Sequence, residues 1–151
     1  MKTFETLADL AACVGQEVAL SDWVTITQEQ VNRFAEATGD HQWIHVDVAR
    51  AKDGPFGAPI AHGFLTLSLL PVFFESAFEL RRSGLGLNYG LNKVRFTAPV
   101  PVGSRLRARM WLLACDPIDN EGLQMTWRVT VEREGSDKPA CVAECLVRRY
   151  P

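Results

Sequence analysis

The segment that decides the fold is residues 63–80, GFLTLSLLPVFFESAFEL, which is apolar on nearly every side for about four helical turns. It approaches the length of a membrane span, but Pro71, Glu75 and Glu79 argue against exposure to lipid. A helix without a polar face is normally buried by other parts of the protein. We therefore predict a long helix buried inside the fold. Pro71 removes a backbone donor and is expected to kink it.

Four strand-like segments, separated by turn residues, follow this helix at 87–98, 103–116, 122–134 and 139–150. The second and third place an apolar residue at every other position: Leu106, Ala108, Met110 and Leu112, then Met125, Trp127, Val129 and Val131. Such alternation is typical of an antiparallel sheet with one buried face, and short turns favour antiparallel pairing. The predicted class is α+β, a long buried helix wrapped by a curved antiparallel sheet.

The N-terminal part contains shorter elements. We predict an amphipathic helix at 3–14 that ends at Gly15, where a left-handed cap fits glycine. A short strand at 17–26 is expected next. A second helix then begins at Thr27, whose Thr-x-x-Gln pattern resembles a capping box, and ends at Gly39.

Residues 40–62 are predicted to be mostly loop. Asp47 is placed to cap a short turn at 48–51, and the KDGPFGAP segment at 52–59 is rich in turn residues.

Composition narrows the class of protein. The chain has 151 residues, of which 47% are apolar, enough for one domain (1–151) that buries roughly two thirds of its unfolded surface. Its 16 basic and 18 acidic residues give a net charge of −2. No basic stripe suggests a nucleic-acid partner.

Cysteine usage and the N-terminus point to the cytoplasm. The first residues lack the charged and apolar regions of a signal peptide. The four cysteines, Cys13, Cys115, Cys141 and Cys145, form no CxxC pair, and we expect them to be reduced and to act as small apolar residues. Cys141 and Cys145 share strand parity and should point to one face. No membrane association is expected.

Asp40 and His45 are the candidate catalytic residues. A carboxylate and an imidazole brought together in an apolar setting can hold one water and move its protons, and burial would tune both pKa values. The alternative is structural, because an aspartate after a glycine is an ordinary turn residue and a nearby histidine is often a satisfied core group. Spacing alone does not decide between them.

Residues 39–51, GDHQWIHVDVARA, and 60–63, IAHG, resemble the hydratase signature of the MaoC-like (R)-specific enoyl-CoA hydratases. In that signature the positions of Asp40 and His45 hold the catalytic pair. Residues 88–96, NYGLNKVRF, and 99–104, PVPVGS, resemble the branch related to nodulation protein N, which includes mycobacterial members. The resemblance covers residues 20–150 at least and implies a hot-dog fold.

Two positions depart from the family pattern. Many members carry Asn-Pro where this chain has Gln42-Trp43. Gln42 can still donate and accept hydrogen bonds, whereas Trp43 changes the local backbone and the pocket wall. Some members carry a serine where Pro71 stands. Both changes bear on the acyl-chain preference more than on the reaction.

The resemblance also implies a role for Gly63. A helix N-terminus presents free N–H groups and partial positive charge, and the thioester carbonyl gains negative charge as water attacks C3. The Gly63 N–H is therefore the expected oxyanion donor, although this glycine could instead merely prevent a steric clash. Further residues are expected to contact the substrate: Gln42, Ile60, Ala61, His62, Asn88, Tyr89 and Gly90.

The resemblance implies a lyase, a hydro-lyase of the enoyl-CoA hydratase 2 type in fatty acid metabolism. It would add water reversibly to trans-2-enoyl thioesters of CoA or acyl-carrier protein. No metal or redox cofactor is expected, because the carbonyl already activates the β-carbon. A homodimer is expected, since hot-dog proteins commonly pair edge to edge. The alternatives are a hot-dog acyl-CoA thioesterase and a non-catalytic acyl-binding subunit.

Overall fold

An antiparallel sheet organises the computed structural model, which describes residues 1–151. In spatial order its strands are β2 (Gln16–Leu20), β6 (Arg105–Pro117), β7 (Leu123–Arg133), β8 (Cys141–Arg149) and β5 (Gly86–Arg95). The short strand β3 (Val24–Thr25) also pairs with β6. All these pairs are antiparallel. The four C-terminal strands confirm the sequence prediction within a few residues at each end.

The alternation in β6 and β7 also matches the prediction. All eight residues predicted to face inward are buried, because successive side chains of a strand point to opposite faces. On the outer face, Glu132 accepts hydrogen bonds from Arg107 at 2.8 Å and from Arg109 at 2.6 Å. These pairs are partly solvated, so each contributes little to stability.

Cys141 and Cys145 both point into the core from β8, as predicted. Burial raises the pKa of Cys141 to about 11 and that of Cys145 to about 12. Both thiols therefore stay protonated and behave as small apolar groups. Cys13 and Cys115 are also free.

The prediction of a helix at 3–14 is wrong in its first part. Lys2–Thr6 form a strand, β1, which pairs in parallel with β4 (Phe78–Arg82). Phe4 is buried and stands edge-on against Phe78 with 5.8 Å between ring centroids. Pairing with a distant strand outweighs the local helical pattern here, because it gives Phe4 a partner in the core.

The first helix, α1, is shorter than predicted and spans Leu7–Ala11. Thr6 and Asp9 form its capping box: Thr6 Oγ1 accepts the Asp9 N–H at 3.2 Å, and the Asp9 carboxylate accepts the Thr6 N–H at 2.9 Å. Gly15 has a positive φ of 85°. However, it belongs to the turn that leads into β2 and does not end the helix.

The apolar segment forms two short helices, α5 (Gly63–Ser68) and α6 (Leu70–Ala77), which meet at Leu69. Pro71 lies in the first turn of α6, so the predicted kink is a full break between the helices. The predicted continuation to residue 80 is wrong, because the chain becomes β4 at Phe78. No helix of the protein is both long and apolar enough to cross a bilayer.

Only one side of this helical pair is fully buried. Its inner face joins the core through Leu65, Leu69, Leu70, Phe73 and Ala77. On the other side Phe64 is 69% exposed and Val72 is 45% exposed. The expectation that the segment is covered on all sides is therefore wrong for a single chain. Apolar side chains that are exposed together are typical of a surface that contacts a ligand or another chain.

The loop predicted at 40–62 contains two short helices, α3 (Trp43–Val46), which the sequence did not indicate, and α4 (Val48–Lys52), which corresponds to the predicted turn at 48–51. The predicted cap of the second is confirmed, since Asp47 Oδ1 accepts the Arg50 N–H at 3.1 Å.

Before this loop, α2 (Gln28–Thr38) begins as predicted. Its N-cap Thr27 accepts the Gln30 N–H at 3.1 Å.

Candidate active site

Asp40 lies at the surface directly after α2. Gly39 ends that helix in the left-handed region with a φ of 83°, a conformation that glycine adopts without strain. Asp40 Oδ1 accepts the Gln42 N–H at 3.3 Å, and the Asp40 N–H reaches Thr38 Oγ1 at 3.4 Å. The residue is exposed, so its carboxylate can meet a ligand from solvent rather than standing in the apolar setting expected.

His45 lies on α3 and is only 6% exposed. Its Nδ1 lies 2.6 Å from the main-chain oxygen of Ile60. A carbonyl oxygen can only accept, so Nδ1 carries the proton and the neutral ring keeps a lone pair on Nε2. This hydrogen bond therefore fixes the tautomer in which Nε2 is free to take a proton.

Burial lowers the pKa of His45 below its ordinary value. The hydrogen bond to Ile60 and the charge of Asp40 act in the opposite direction, and His62 adds to the lowering. Desolvation is the largest of these effects because it disfavours the charged ring. His45 is therefore neutral, and able to act as a base, across the neutral pH range.

The turn that carries His45 is anchored from α2. Gln28 Nε2 donates to the main-chain oxygen of His45 at 2.8 Å and to Asn32 Oδ1 at 2.9 Å. The Ile60 N–H donates to the oxygen of Ile44 at 3.0 Å. Segments 40–45 and 60–62 are thereby held side by side.

Asp40, His45 and His62 form one cluster, in which each residue brings an oxygen or a nitrogen within 4.8 Å of the others. The two imidazole rings are stacked, with 3.9 Å between centroids and 26° between planes. The nitrogen lone pairs of stacked rings lie in nearly parallel planes and do not point to a common centre. The ligands of a zinc site, by contrast, converge on the ion. The arrangement suits proton transfer better than metal binding.

Gly63 is the first residue of α5, and its N–H has no acceptor within the helix. A Cβ built on Gly63 would lie 2.8 Å from Cδ2 of Phe96, closer than non-bonded atoms approach. Both roles predicted for Gly63 therefore have a physical basis: a free N–H at a helix N-terminus, and a place where a side chain is crowded.

Known proteins resemble this chain over most of its length. A model of the MaoC like domain matches residues 9–134. The 3-hydroxyacyl-thioester dehydratase Z of Mycobacterium tuberculosis is 61% identical over 148 residues, which cover 98% of each chain. Nodulation protein N of Rhizobium leguminosarum is 47% identical over 143 residues, 93% of this chain and 89% of that one.

The chain belongs to the MaoC-like family. Among solved structures, the (R)-hydratase from A. caviae superposes with a TM-score of 0.69 at 25% identity, over 91% of this chain and 96% of the other. The hot-dog fold implied by the sequence resemblance is thus confirmed. The relation to nodulation protein N and to mycobacterial members is confirmed as well.

Two departures from the MaoC-like pattern have clear places in the structure. Gln42 precedes α3 and is exposed, while the Trp43 ring packs beside Gly54 and carries the Arg50 guanidinium 4.2 Å from its centroid. Trp43 therefore braces its own loop. Pro71 lines two cavities beside α6.

Five of the residues predicted to contact substrate fall into two groups. Ile60 and Ala61 are buried, and their main chains bond within the fold. Asn88, Tyr89 and Gly90 lie on β5 and line a cavity of about 450 Å³ beside the central helices. Asp40, His45 and Gly63 do not line that cavity, so the cavity does not join Asn88, Tyr89 and Gly90 to the candidate catalytic pair.

Several contacts of the candidate site residues could not be predicted from the sequence. The stack of His62 on His45, the Gln28 bond to the His45 main chain, and the Phe96 ring against Gly63 all join segments distant along the chain. The IAHG pattern at 60–63 drew attention to His62 but not to its contacts.

Proposed function

We propose that this MaoC-like protein is an (R)-specific enoyl-thioester hydratase that also runs in reverse as a 3-hydroxyacyl-thioester dehydratase. One observation carries the proposal. A buried, neutral histidine with a free Nε2 stands beside an exposed carboxylate, and His45 and Asp40 are the two signature positions. The name of the 61% identical mycobacterial relative supports the same reaction.

Asp40 and His45 are close enough for both to contact a single water molecule. Two atoms that each accept a hydrogen bond of about 2.8 Å from one water lie roughly 4.6 Å apart when the angle at the water oxygen is tetrahedral. A ring nitrogen of His45 and an oxygen of Asp40 lie within 4.8 Å of each other. A water held by both groups would be oriented for attack at C3.

The steps follow from the tautomer of His45. In hydration, His45 Nε2 takes a proton from the water while the hydroxide adds to C3. That proton passes to the Asp40 carboxylate, which gives it to C2, so that one water is consumed and both groups return to their starting states. The Gly63 N–H stabilises the negative charge that develops on the thioester oxygen.

We place the acyl chain in the cavity of about 450 Å³ between α5, α6 and β5. Its lining is mostly apolar and includes Phe64, the neighbour of Gly63, as well as Leu67, Pro71 and Phe74. Asn88, Tyr89 and Gly90 form the β5 side. Cys145 also lines it, but with a pKa of about 12 it is not a nucleophile.

The proposal is tested by incubating the protein with crotonyl-CoA and following the loss of enoyl-thioester absorbance. We expect hydration to a product with the (3R) configuration, which chiral chromatography identifies. An S product would contradict the proposed stereochemistry. Release of free CoA thiol without hydration would favour a thioesterase, and binding without turnover would favour an acyl-binding subunit.

We also propose that the protein is a homodimer that pairs through β5. This strand lies at the edge of the sheet, and all but one of its residues are exposed. An exposed edge strand with apolar side chains invites pairing with another chain. The exposed large apolar residues of this region are Phe64, Leu85, Leu87, Tyr89, Leu91 and Phe96.

Leu91→Lys is expected to convert the dimer into a monomer, because a charge would be buried in the interface. Light scattering after gel filtration should give twice the chain mass of 16.8 kDa for the wild type and the single mass for the variant. Leu20→Lys, an exposed leucine on the edge strand β2, is the matched control and should stay dimeric. A monomeric wild type would contradict the proposal.

The protein is expected to act in the cytoplasm. Its four cysteines are free thiols, and two of them lie buried in the core without forming a disulfide. This state is the one favoured in a reducing compartment.

A further inference from the structure

His62 contacts both members of the proposed catalytic pair. It is the N-cap of α5 and only 2% exposed. Its Nε2 lies 3.0 Å from the main-chain oxygen of Asp40. That oxygen can only accept, so Nε2 carries the proton and donates. One face of the ring stacks on His45.

The other ring nitrogen shows that packing alone does not explain His62. Nδ1 is buried and has no hydrogen-bond partner. A buried acceptor without a donor is unfavourable, and an apolar side chain of similar size would fill this place without that cost. The hydrogen bond to Asp40 is the only polar contact that the His62 side chain makes.

Asp40 has few other restraints. It is exposed, it follows the left-handed Gly39, and its other hydrogen bonds are long: 3.4 Å from its N–H to Thr38 Oγ1 and 3.3 Å from the Gln42 N–H to its Oδ1. The His62 bond ties its main chain to the residue that directly precedes Gly63. The same bond therefore restrains the distance between the Asp40 main chain and the helix N-terminus that carries the Gly63 N–H.

We infer that His62 is a positioning residue, which fixes the position of the Asp40 main chain relative to the His45 ring and the Gly63 N–H. In this role it acts through Asp40 rather than through the substrate contact expected from the sequence. The inference rests on the proposed hydratase function. It predicts that the Nε2–H donor of His62 matters more for turnover than the fit of its ring.

His62→Gln and His62→Leu form a matched pair for the test. Both lack the ring and have similar size, but a glutamine amide can replace the Nε2–H donor and a leucine cannot. We expect kcat for crotonyl-CoA hydration to be about tenfold lower for Leu than for Gln, because a small displacement of a catalytic group has a large effect on rate. KM should change little. If His62→Leu does not fold, His62→Phe replaces it as the variant without a donor.

The same two substitutions in an Asp40→Asn background separate positioning from general structural damage. If His62 acts through the Asp40 carboxyl, the difference in kcat between Gln and Leu should shrink to less than about twofold there, because the two residues serve one function. An undiminished difference in that background would overturn the inference.

The two proposals fail in different ways. A core-packing role for His62 predicts that Leu is at least as active as Gln, because a buried amide costs more than an apolar side chain. That result, with an active wild type, would overturn the positioning role alone. A wild type that does not hydrate crotonyl-CoA would overturn the proposed function itself.

Discussion

Asp40→Asn and His45→Asn are each expected to lower kcat for hydration by about 10²–10⁴-fold, the usual contribution of a general acid or base. Asparagine at position 40 keeps the oxygen that accepts the Gln42 N–H but cannot exchange a proton with C2. Asparagine at position 45 offers an amide N–H where His45 Nδ1–H meets Ile60, yet it lacks the basic Nε2. Steady-state kinetics with crotonyl-CoA measure both losses.

The matched control is His41→Asn, because His41 is an exposed histidine in the same loop. It should keep near-normal turnover, and thermal melts of all three variants should lie close to that of the wild type. Near-normal turnover in folded Asp40→Asn or His45→Asn would show that the pair is not catalytic.

The double variant tests whether the pair acts on one water. Two groups that serve the same water act as a unit, so removing the second should cost much less than removing the first. The combined loss is therefore expected to be well below the product of the two single losses. Fully multiplicative losses would instead indicate two independent roles for Asp40 and His45.

The parts of the fold that depend on local patterns could be predicted from the sequence. Leu106 to Leu112 alternate because side chains in a strand point to opposite faces, and that period is visible in a single segment. Thr27 and Gly39 bound α2 by local hydrogen bonding and backbone conformation. Pro71 interrupts the apolar helix because its ring removes the backbone N–H donor.

Contacts between distant segments could not be predicted. The strand at Lys2–Thr6 exists because it pairs with Phe78–Arg82, and nothing in the first residues alone reveals that partner. For the site, the signature gave Asp40 and His45, but the tautomer of His45 depends on the Ile60 oxygen. That oxygen lies on a segment whose path is set by the fold rather than by the motif.

The exposure of Asp40 has a similar origin. The sequence places it after a helix-ending glycine, which is correct, but whether the next residue is buried depends on how 40–45 crosses 60–62. Where segments 40–45 and 60–62 meet in the structure, His45 and His62 are buried and stack on each other, whereas Asp40 is exposed. An exposed carboxylate in this position can exchange protons with solvent, as the proposed role of Asp40 requires.

Gly63→Pro is expected to lower kcat by about 10²–10³-fold relative to Gly63→Ala, if the Gly63 N–H stabilises the oxyanion. Proline deletes that N–H, whereas alanine keeps it. Proline is tolerated at the first helical position because its missing N–H is one that the helix does not use. His62, with φ −59° and ψ 138°, already has the conformation favoured before a proline.

The Phe96 ring complicates this comparison and also suggests how to sharpen it. Any side chain at position 63 would meet that ring at 2.8 Å, so both substitutions should be made with Phe96→Ala, which removes the obstacle. Gly63 is not among the residues with positive φ, so neither variant is strained for that reason. Thermal melts should show all variants folded. Equal turnover of the Pro and Ala variants in this background would show that Gly63 serves only to avoid the Phe96 ring.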